Sequence, residues 1–210
     1  MSDMLAMVMA GGEGVRWGQP TPKCVAPILG EPVIGRTLRM LKARNVPAIV
    51  ISHKPEVQAV VNGAEVYADR WPFYLDCAWA LRDRWLPRNV VLFGDVAYTD
   101  FGLDALLKAS GPMWWTGRCP EMFGMAWDER PDTREAIRAV VEAAPHVAGK
   151  RRGCCFNVYH QWVYDEPRHL AWVLVSTKRS YTHIADETSD MDTVEIWQGV
   201  SRAFERRSRG

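Results

Sequence analysis

The sequence predicts an α/β fold in which helices cover both faces of a mostly parallel β-sheet. Short apolar runs of strand length occur at residues 4–10, 46–52 and 89–93. They lack polar alternation, which is typical of parallel strands buried on both faces. Segments with apolar residues at helical spacing lie between these runs, at about 32–42 and 74–85. This alternation of strands and helices indicates βαβ units.

The individual elements follow from local signals. Pro32 fits the first turn of a helix, where its missing N–H costs nothing, and the apolar side chains of that helix fall on one face. The strand at 89–93 runs directly into Gly94-Asp95. The remaining expected elements are a short helix at about 57–61, a weak strand at 64–68, a strand at 112–116, a helix at 133–144 and a C-terminal helix ending near 204.

Composition restricts the function. The chain has 210 residues, enough for one domain with a substantial core, and its net charge of +1 argues against a nucleic-acid or membrane-surface binder. No apolar run approaches the roughly 20 residues that span a bilayer, and no basic segment precedes the first apolar run, so a secretory signal is not expected. Five cysteines without a C-x-x-C pair indicate reduced thiols, so we expect a cytoplasmic protein.

A glycine-rich loop follows the first strand. Ala10-Gly11-Gly12-Glu13-Gly14 precedes Arg16 and, after a short loop, Pro22-Lys23. Glycines let successive backbone N–H groups converge on an anion, and Arg16 and Lys23 can fold back onto the same anion. The loop is neither a Walker A motif nor a complete dinucleotide fingerprint. Its best ligand is a phosphate chain; the alternative is a tight turn without a ligand.

The opening motif resembles that of the nucleotidyltransferase superfamily, which includes sugar-phosphate nucleotidyltransferases and MobA-like NTP transferases. The resemblance is carried by residues 10–16, by Pro22-Lys23 and by residues 29–34, with Val15 where the family usually has Ser or Thr. It implies a Rossmann-like three-layer sandwich of the GT-A-like nucleotide-diphospho-sugar transferase type. It also implies that Arg16 and Lys23 are catalytic. The implied nucleotide-binding residues are Ala10, Gly11, Gly12, Glu13, Gly14, Arg16 and Lys23.

Asp95 is a candidate metal ligand. It follows a buried strand, at the sheet edge that should also hold the glycine loop, and a carboxylate near a triphosphate suits a hard cation. The family's metal-binding aspartate occupies a similar position after its strand. The alternative is that Asp95 is a turn residue or caps a helix leading into Asp104.

The second candidate ligand lies near the C-terminus. Asp190-Met191-Asp192-Thr193-Val194-Glu195 resembles the family segment whose aspartate before Thr binds metal, with Val194 replacing a proline. This assigns Asp192 to the metal. Asp192 with Glu195 also resembles a helix capping box, which is compatible with ligation if Thr193 is the cap. We expect the chain to turn into the helix at Asp192 or Thr193, so that the two carboxylates diverge and only Asp192 binds the cation. Asp190 is then expected to be solvated or to pair with a basic side chain.

The resemblance implies an enzyme that transfers NMP from an NTP to a phosphorylated small molecule, with a sugar 1-phosphate as the expected acceptor. Mg²⁺ is the expected cofactor, with Mn²⁺ as a substitute, and neither nucleic acid nor membrane is an expected partner. The nucleotide-binding half is about 1–110 and the acceptor-binding half about 111–210 of a single domain. The alternatives are a GT-A-type glycosyltransferase and a catalytically silent nucleotide-binding module. The NTP base and the oligomeric state are left open.

Several side chains are assigned more loosely. The basic turn at 150–152, or Lys178-Arg179, could neutralise the acceptor phosphate. The alternative is that these charge runs are solvated loops, as such runs usually are. Residues 122–126 and 156–159 loosely resemble the family's acceptor-binding strands. Lys23, taken as an exposed loop lysine, should affect turnover but not folding. The base could stack on Trp71, Phe73 or Tyr74, and the five histidines are interpreted as structural or surface residues: His53, His146, His160, His169 and His183.

Overall fold

The computed structural model describes residues 2–68, 74–118, 121–143, 158, 162 and 180–209. The strands are β1 (Met4–Met9), β2 (Pro27–Ile28), β3 (Glu31–Pro32), β4 (Ala48–Ile51), β5 (Glu65–Tyr67), β6 (Arg88–Phe93), β7 (Val96–Ala97), β8 (Met113–Arg118), β9 (Glu121–Asp128), β10 (Tyr181–His183) and β11 (Ser189–Asp190). The helices are α1 (Val33–Ala43), α2 (Pro55–Gln58), α3 (Tyr74–Ala80), α4 (Asp100–Leu107), α5 (Pro131–Ala143) and α6 (Val194–Arg209).

Within the described residues, the central sheet has seven strands in the order β10-β8-β9-β6-β1-β4-β5. Strand β1 pairs in parallel with β6 on one side and with β4 on the other. Among these seven described strands, only β9 runs antiparallel, between β6 and β8. The predicted α/β class with a mostly parallel sheet is confirmed. The carboxyl ends of β1, β4, β6 and β8 therefore lie at the same edge of the sheet.

The sheet is the middle layer of a three-layer sandwich. Successive residues of β1 point to opposite faces, so Met7 packs in one core and Val8 in the other. Helices α3 and α5 cover the first face, whereas α1, α2 and α4 cover the second. Both faces of β1 are buried because each has its own helical layer, which explains the unbroken apolar run of this strand.

Helix α6 packs in a third, smaller core beside the β2–β3 hairpin. Val200 and Phe204 of this helix pack with Ile28, Val33 and Met191. Arg36 of α1 lies over the Phe204 ring, with its guanidinium carbon 5.1 Å from the ring centroid. Helix α6 thereby joins the C-terminal segment to the part of the chain that follows the glycine loop.

Several helix boundaries differ from the sequence expectations. Helix α2 begins at Pro55 and ends at Gln58 rather than near 61, and helix α5 begins at Pro131 rather than at 133. Helix α1 begins at Val33 because Pro32 ends β3 and is the residue before the helix. Helix α3 ends at Ala80 and is followed by a 3₁₀ turn at Arg82–Arg84. Helix α6 continues to Arg209, and its last turns are held by an ion pair between Arg207 and Glu187 at 2.6 Å. Across the described ranges, no helix is both long and apolar enough to cross a bilayer.

Candidate functional site

The candidate site begins where β1 and β6 end side by side. The backbone N–H of Gly94 donates to the carbonyl of Met9 at 2.8 Å. A Cβ atom at Gly94 would lie 3.0 Å from the Cβ of Ala10 and 3.1 Å from the Met9 oxygen. A glycine is therefore needed for the two strand ends to approach this closely. This approach brings Asp95 next to the start of the glycine loop.

The glycine loop is anchored on the neighbouring strand β4. The N–H of Ala10 donates to the carbonyl of Ile51 at 2.9 Å, and the Ser52 hydroxyl donates to the Ala10 carbonyl at 3.0 Å. Gly14 has a φ of +63°, in the left-handed region that favours glycine. A pocket of about 380 Å³ opens along the loop from Gly12 to Lys23. Its size lies within the range of small-molecule sites.

Lys23 lies at the centre of three carboxylates. Its Nζ contacts Asp95 Oδ2, and it lies 2.9 Å from Asp192 Oδ1 and 3.5 Å from Asp190 Oδ1. Only 16% of the Lys23 side chain is exposed. The expectation that Lys23 is an exposed loop lysine is wrong, because the C-terminal segment folds over it.

Arg16 joins the same cluster from the outside. Its Nη1 lies 2.5 Å from Asp192 Oδ2, while 66% of the Arg16 side chain remains exposed. Asp192 thus contacts both basic residues of the opening motif, one through each carboxylate oxygen. The structure brings together Arg16 and Lys23, which are predicted to be catalytic, and Asp95 and Asp192, which are predicted to bind metal.

The cluster raises the pKa values of Lys23 and Asp190, which favours the charged form of the lysine but the neutral form of the aspartate. Burial alone would lower the pKa of Lys23, but the charges of Asp95 and Asp190 outweigh it and raise this pKa. Burial raises the pKa of Asp190 to about 7, with a further contribution from the charge of Asp95. The protein therefore strongly favours a cation between these carboxylates, and an ionised Asp190 is costly at neutral pH.

The helix caps near the aspartates are provided by threonines. The hydroxyl of Thr193 accepts a hydrogen bond from the N–H of Ile196 at 3.3 Å, which leaves Asp192 available for the charge cluster. The hydroxyl of Thr99, not Asp95, accepts from the N–H of Gly102 and caps α4. Neither aspartate is therefore explained as a helix cap.

Asp190 and Asp192 both face the cluster. Residue Asp190 ends β11, which pairs antiparallel with β7 and so runs beside the segment after Asp95. We expected the two side chains to diverge so that only one could reach a cation. That geometric expectation is wrong, since both carboxylates reach the ammonium of Lys23, although Asp192 is the closer. Pairing of Asp190 with a basic side chain is confirmed.

The donor set suits a hard divalent cation by chemistry. Oxygens of Asp95 and Asp192 approach one point, and carboxylate oxygens are the ligands that Mg²⁺ prefers. In the described part of the chain, no three His, Cys, Asp or Glu side chains are arranged to hold a metal ion. The Lys23 ammonium lies between the oxygens of Asp95 and Asp192. Metal binding by Asp95 and Asp192 stays a prediction.

Two further polar side chains border the pocket and were not assigned to it from sequence. His53 and Lys54 follow β4 and line the pocket, and the Lys54 ammonium donates to the carbonyl of Gly12. The signal was present, because β4 is a buried parallel strand and its carboxyl end lies at the site edge. His183 lies on β10 and is exposed.

Other sequence assignments fall outside the described residues. They are the stacking candidates Trp71 and Phe73 with the Tyr74 side chain, the basic residues at 150–152 and 178–179, residues 156, 157 and 159 of the loosely assigned segment 156–159, and His146, His160 and His169. The segment 122–126 lies within β9.

Comparison with known proteins agrees with the fold. Solved structures that resemble the chain over nearly its whole length include the following. A proposed glucose-1-phosphate thymidylyltransferase from Bacillus anthracis, in complex with a sucrose, has 13% identity and a TM-score of 0.63, covering 95% of this chain and 94% of that one. Rv0371c from Mycobacterium tuberculosis H37Rv has 15% identity and a TM-score of 0.61, covering 95% and 97%. HddC from Yersinia pseudotuberculosis has 11% identity and a TM-score of 0.55, covering 96% and 98%.

The sequence comparison concerns the N-terminal part of the chain. No curated protein matches the chain. Residues 6–81 match the model of the MobA-like NTP transferase domain, and this segment contains the glycine loop, Arg16 and Lys23. The family match and the fold together confirm the resemblance to the nucleotidyltransferase superfamily that the opening motif carries.

Proposed function

We propose that the chain is a Mg²⁺-dependent nucleotidyltransferase that transfers NMP from an NTP to a sugar 1-phosphate or a similar phosphorylated small molecule. The observation that carries this proposal is the convergence of Arg16 and Lys23 with Asp95 and Asp192 beside the glycine loop. The match of residues 6–81 to an NTP transferase domain supports the same reaction class. The thymidylyltransferase named among the similar structures makes glucose 1-phosphate a rational first acceptor.

The reaction needs positioning and charge stabilisation more than proton transfer. An acceptor phosphate oxygen attacks the α-phosphorus, the bond from this phosphorus to the bridging oxygen breaks, and the electron pair leaves with pyrophosphate. The nucleophile is already ionised at pH 7, so the step requires no general base. The glycine-loop N–H groups with Arg16 and Lys23 would bind the β- and γ-phosphates and stabilise the charge on the leaving group.

Asp95 and Asp192 would hold the Mg²⁺ ion of the substrate complex. When bound, the ion neutralises phosphate charge and helps to orient the α-phosphate. Because the Lys23 ammonium contacts the same oxygens, we expect it to leave them for the phosphate chain when metal and nucleotide bind. Lys23 would then serve as the counter-ion of the free site and as a phosphate ligand in the complex.

The two halves of the domain would serve the two substrates. The pocket along the glycine loop belongs to residues 1–110, the half proposed to bind the nucleotide. The half at 111–210 would bind the acceptor. Cys24 is a buried free thiol, which fits the proposed cytoplasmic setting.

A pyrophosphate-release assay tests the proposal. The purified protein is given each of four NTPs with Mg²⁺, with and without glucose 1-phosphate and other sugar 1-phosphates. We expect pyrophosphate release that needs both an NTP and an acceptor. Hydrolysis of NDP-sugars without NTP turnover would favour the glycosyltransferase alternative. Nucleotide binding without either reaction would favour the silent module.

A pair of matched variants isolates the metal role. Asp95→Asn keeps the shape of the side chain but removes its charge, and we expect it to abolish Mg²⁺-dependent turnover. Asp128→Asn makes the same change at the carboxyl end of β9, at the opposite sheet edge, where Asp128 pairs with Arg88 at 2.7 Å. This control should retain the parental Mg²⁺ activation curve. An unchanged activation curve in Asp95→Asn would remove Asp95 from the metal site.

A further inference from the structure

Trp17 lies in the segment that follows the glycine loop and joins Gly14 to Thr21 through two hydrogen bonds. Its backbone N–H donates to the Gly14 carbonyl at 2.9 Å, and its indole N–H donates to the Thr21 carbonyl at 2.8 Å. The side chain lines the pocket, yet the residue is only 6% exposed. Trp17 also follows Arg16 directly in the chain. The position of its ring therefore determines how the segment carrying Arg16 is held.

The ring of Trp17 is covered by a tryptophan from the C-terminal helix. The centroids of Trp17 and Trp197 are 6.1 Å apart with an interplanar angle of 83°, an edge-to-face contact. Trp197 is itself fixed, because its indole N–H donates to the Pro27 carbonyl at 2.9 Å and its backbone N–H to the Thr193 carbonyl at 3.0 Å. The first bond fixes Trp197 to the segment that follows the glycine loop, and the second belongs to α6 itself.

Two contacts join the same pair of segments. Arg16 pairs with Asp192, which lies just before α6, and the adjacent Trp17 meets Trp197 in the second turn of α6. We propose that Trp197 is a positioning residue that braces the glycine loop through Trp17 and keeps the loop ready to bind the phosphate chain. Trp197 acts through Trp17. The identity of the ligand rests on the proposed function, whereas the bracing of the loop does not.

The expected effect follows from the cost of ordering a loop. Without the brace the loop samples open conformations, and ligand binding must then select or reform the closed one, which weakens the apparent affinity. An aromatic pair contributes modestly beyond its buried area. We therefore expect the open population of the loop and the dissociation constant for a phosphate ligand to rise about threefold to tenfold.

Limited trypsin digestion measures the brace without any ligand. Arg16 is exposed, and the Arg16–Trp17 bond can be cleaved only when the segment around Trp17 opens. We expect Trp197→Leu to increase the initial rate of cleavage at this bond about threefold to tenfold, as measured by mass spectrometry of early fragments. Trp197→Phe, which keeps a ring but loses the N–H donor, should give a smaller increase.

A matched tryptophan provides the control. Trp114 of β8 donates its indole N–H to Thr182 at 2.9 Å, so Trp114→Phe loses the same kind of bond away from the loop. Its cleavage rate at Arg16–Trp17 should equal that of the parent. Equal rates in the parent and in both Trp197 variants would overturn the proposal. An equal rise in Trp114→Phe would also overturn it, since general loosening of the fold would then explain the result.

Binding of magnesium pyrophosphate completes the test. Calorimetry should give a dissociation constant about threefold to tenfold higher for Trp197→Leu than for the parent, and unchanged for Trp114→Phe. If Trp197→Leu does not fold, as judged by thermal unfolding, Trp197→Phe decides both measurements. A parent that binds neither pyrophosphate nor NTP would refute the proposed function, whereas faster cleavage at Arg16–Trp17 would still support the brace. Equal affinities with unequal cleavage rates would overturn the link from brace to binding.

Discussion

Replacing Lys23 by Met removes one charge and keeps an unbranched side chain that is one atom shorter. Lys23 contacts Asp95, Asp190 and Asp192, and the three carboxylates face one another around it. In the variant Arg16 still pairs with Asp192, but Asp95 and Asp190 lose the ammonium that they contact, so the three carboxylates repel each other more strongly. We therefore expect Lys23→Met to lower stability as well as turnover.

The size of the effect follows from the exposure of the cluster. Breaking a buried ion pair by removing one partner costs about 3–5 kcal/mol. The three carboxylate side chains retain 18–25% exposure, so water screens part of the repulsion. We expect a loss of about 2–3 kcal/mol, which for a chain of this size lowers Tm by about 4–12 °C. Turnover should fall about 10²–10³-fold, the scale for losing one charge-stabilising donor.

The pH dependence of the loss identifies its cause. A raised Lys pKa keeps the contribution of Lys23 fully present below the unfolded value of about 10.4, and it is lost only as pH rises through the folded value. Between pH 8 and 5 the change therefore comes from the carboxylates. The pKa of Asp190 is raised to about 7, so the folded state gains a proton as pH falls through this value, which relieves repulsion. The Tm deficit of Lys23→Met should be largest at pH 8 and smaller at pH 5.

Thermal unfolding at the two pH values is the assay. Lys42→Met makes the same change at an exposed position of α1 and should leave Tm nearly unchanged at both. A Lys23→Met deficit no larger than that of Lys42→Met would refute the reasoning from the cluster. A deficit independent of pH would show that lost packing, rather than carboxylate repulsion, is its source.

Further predictions concern the aspartates, a thiol and a glycine. Asp192→Ala should abolish pyrophosphate release and Asp190→Ala reduce it modestly, because Asp192 contacts both basic residues of the loop; equal losses would contradict this. Burial and a neighbouring carboxylate raise the pKa of Cys24 to about 12, so iodoacetamide at pH 8 should modify it in denatured but not in native protein, as read by peptide mass. Gly102→Ala should destabilise the fold by about 1–3 kcal/mol, since its Cβ would overlap a buried threonine, whereas Gly199→Ala, with open space around it, should not. Thermal unfolding of both variants checks this last expectation.

The nucleotide-side edge of the sheet could be predicted because its signals are local. The apolar runs ending at Ala10 and before Gly94-Asp95 have strand length, and parallel strands place their carboxyl ends at one edge. That rule alone brings the glycine loop beside Asp95. The same rule could have assigned His53 and Lys54 to the site, since they follow the run at 46–52.

The antiparallel direction of β9 could not be predicted in this way. Residues 122–127 form an apolar run much like those of the parallel strands, and such a run carries no information on direction. The strand is buried in the middle of the sheet, between β6 and β8. Its direction is seen only in the strand register, in which Arg118 of β8 lies opposite Glu121 of β9 in an antiparallel pair.

The surroundings of Lys23 depend on contacts across most of the chain. Lys23 and Asp192 are separated by 169 positions, and the segment that carries Asp192 is aligned by the two-residue strands β7 and β11. Strands this short have no periodicity to detect. The contact of Trp17 with Trp197 depends on the same closure. Burial of a lysine in such a place is a property of the assembled fold and of no local motif.

The charge balance of the site links its stability to the proposed reaction. Three carboxylates at one point would be unstable at neutral pH, and Lys23 with Arg16 compensates them in the free protein. A metal–triphosphate complex carries both signs of charge, with a cation for the carboxylates and an anion for the two basic side chains. Exchange of the internal ion pairs for this complex leaves every charge paired, so binding of metal and nucleotide together costs less than binding of either alone. On this argument the free protein should bind Mn²⁺ weakly, and NTP should strengthen Mn²⁺ binding. The phosphate chain binds the basic side chains that the metal displaces from the carboxylates, and the metal binds the carboxylates that those side chains leave.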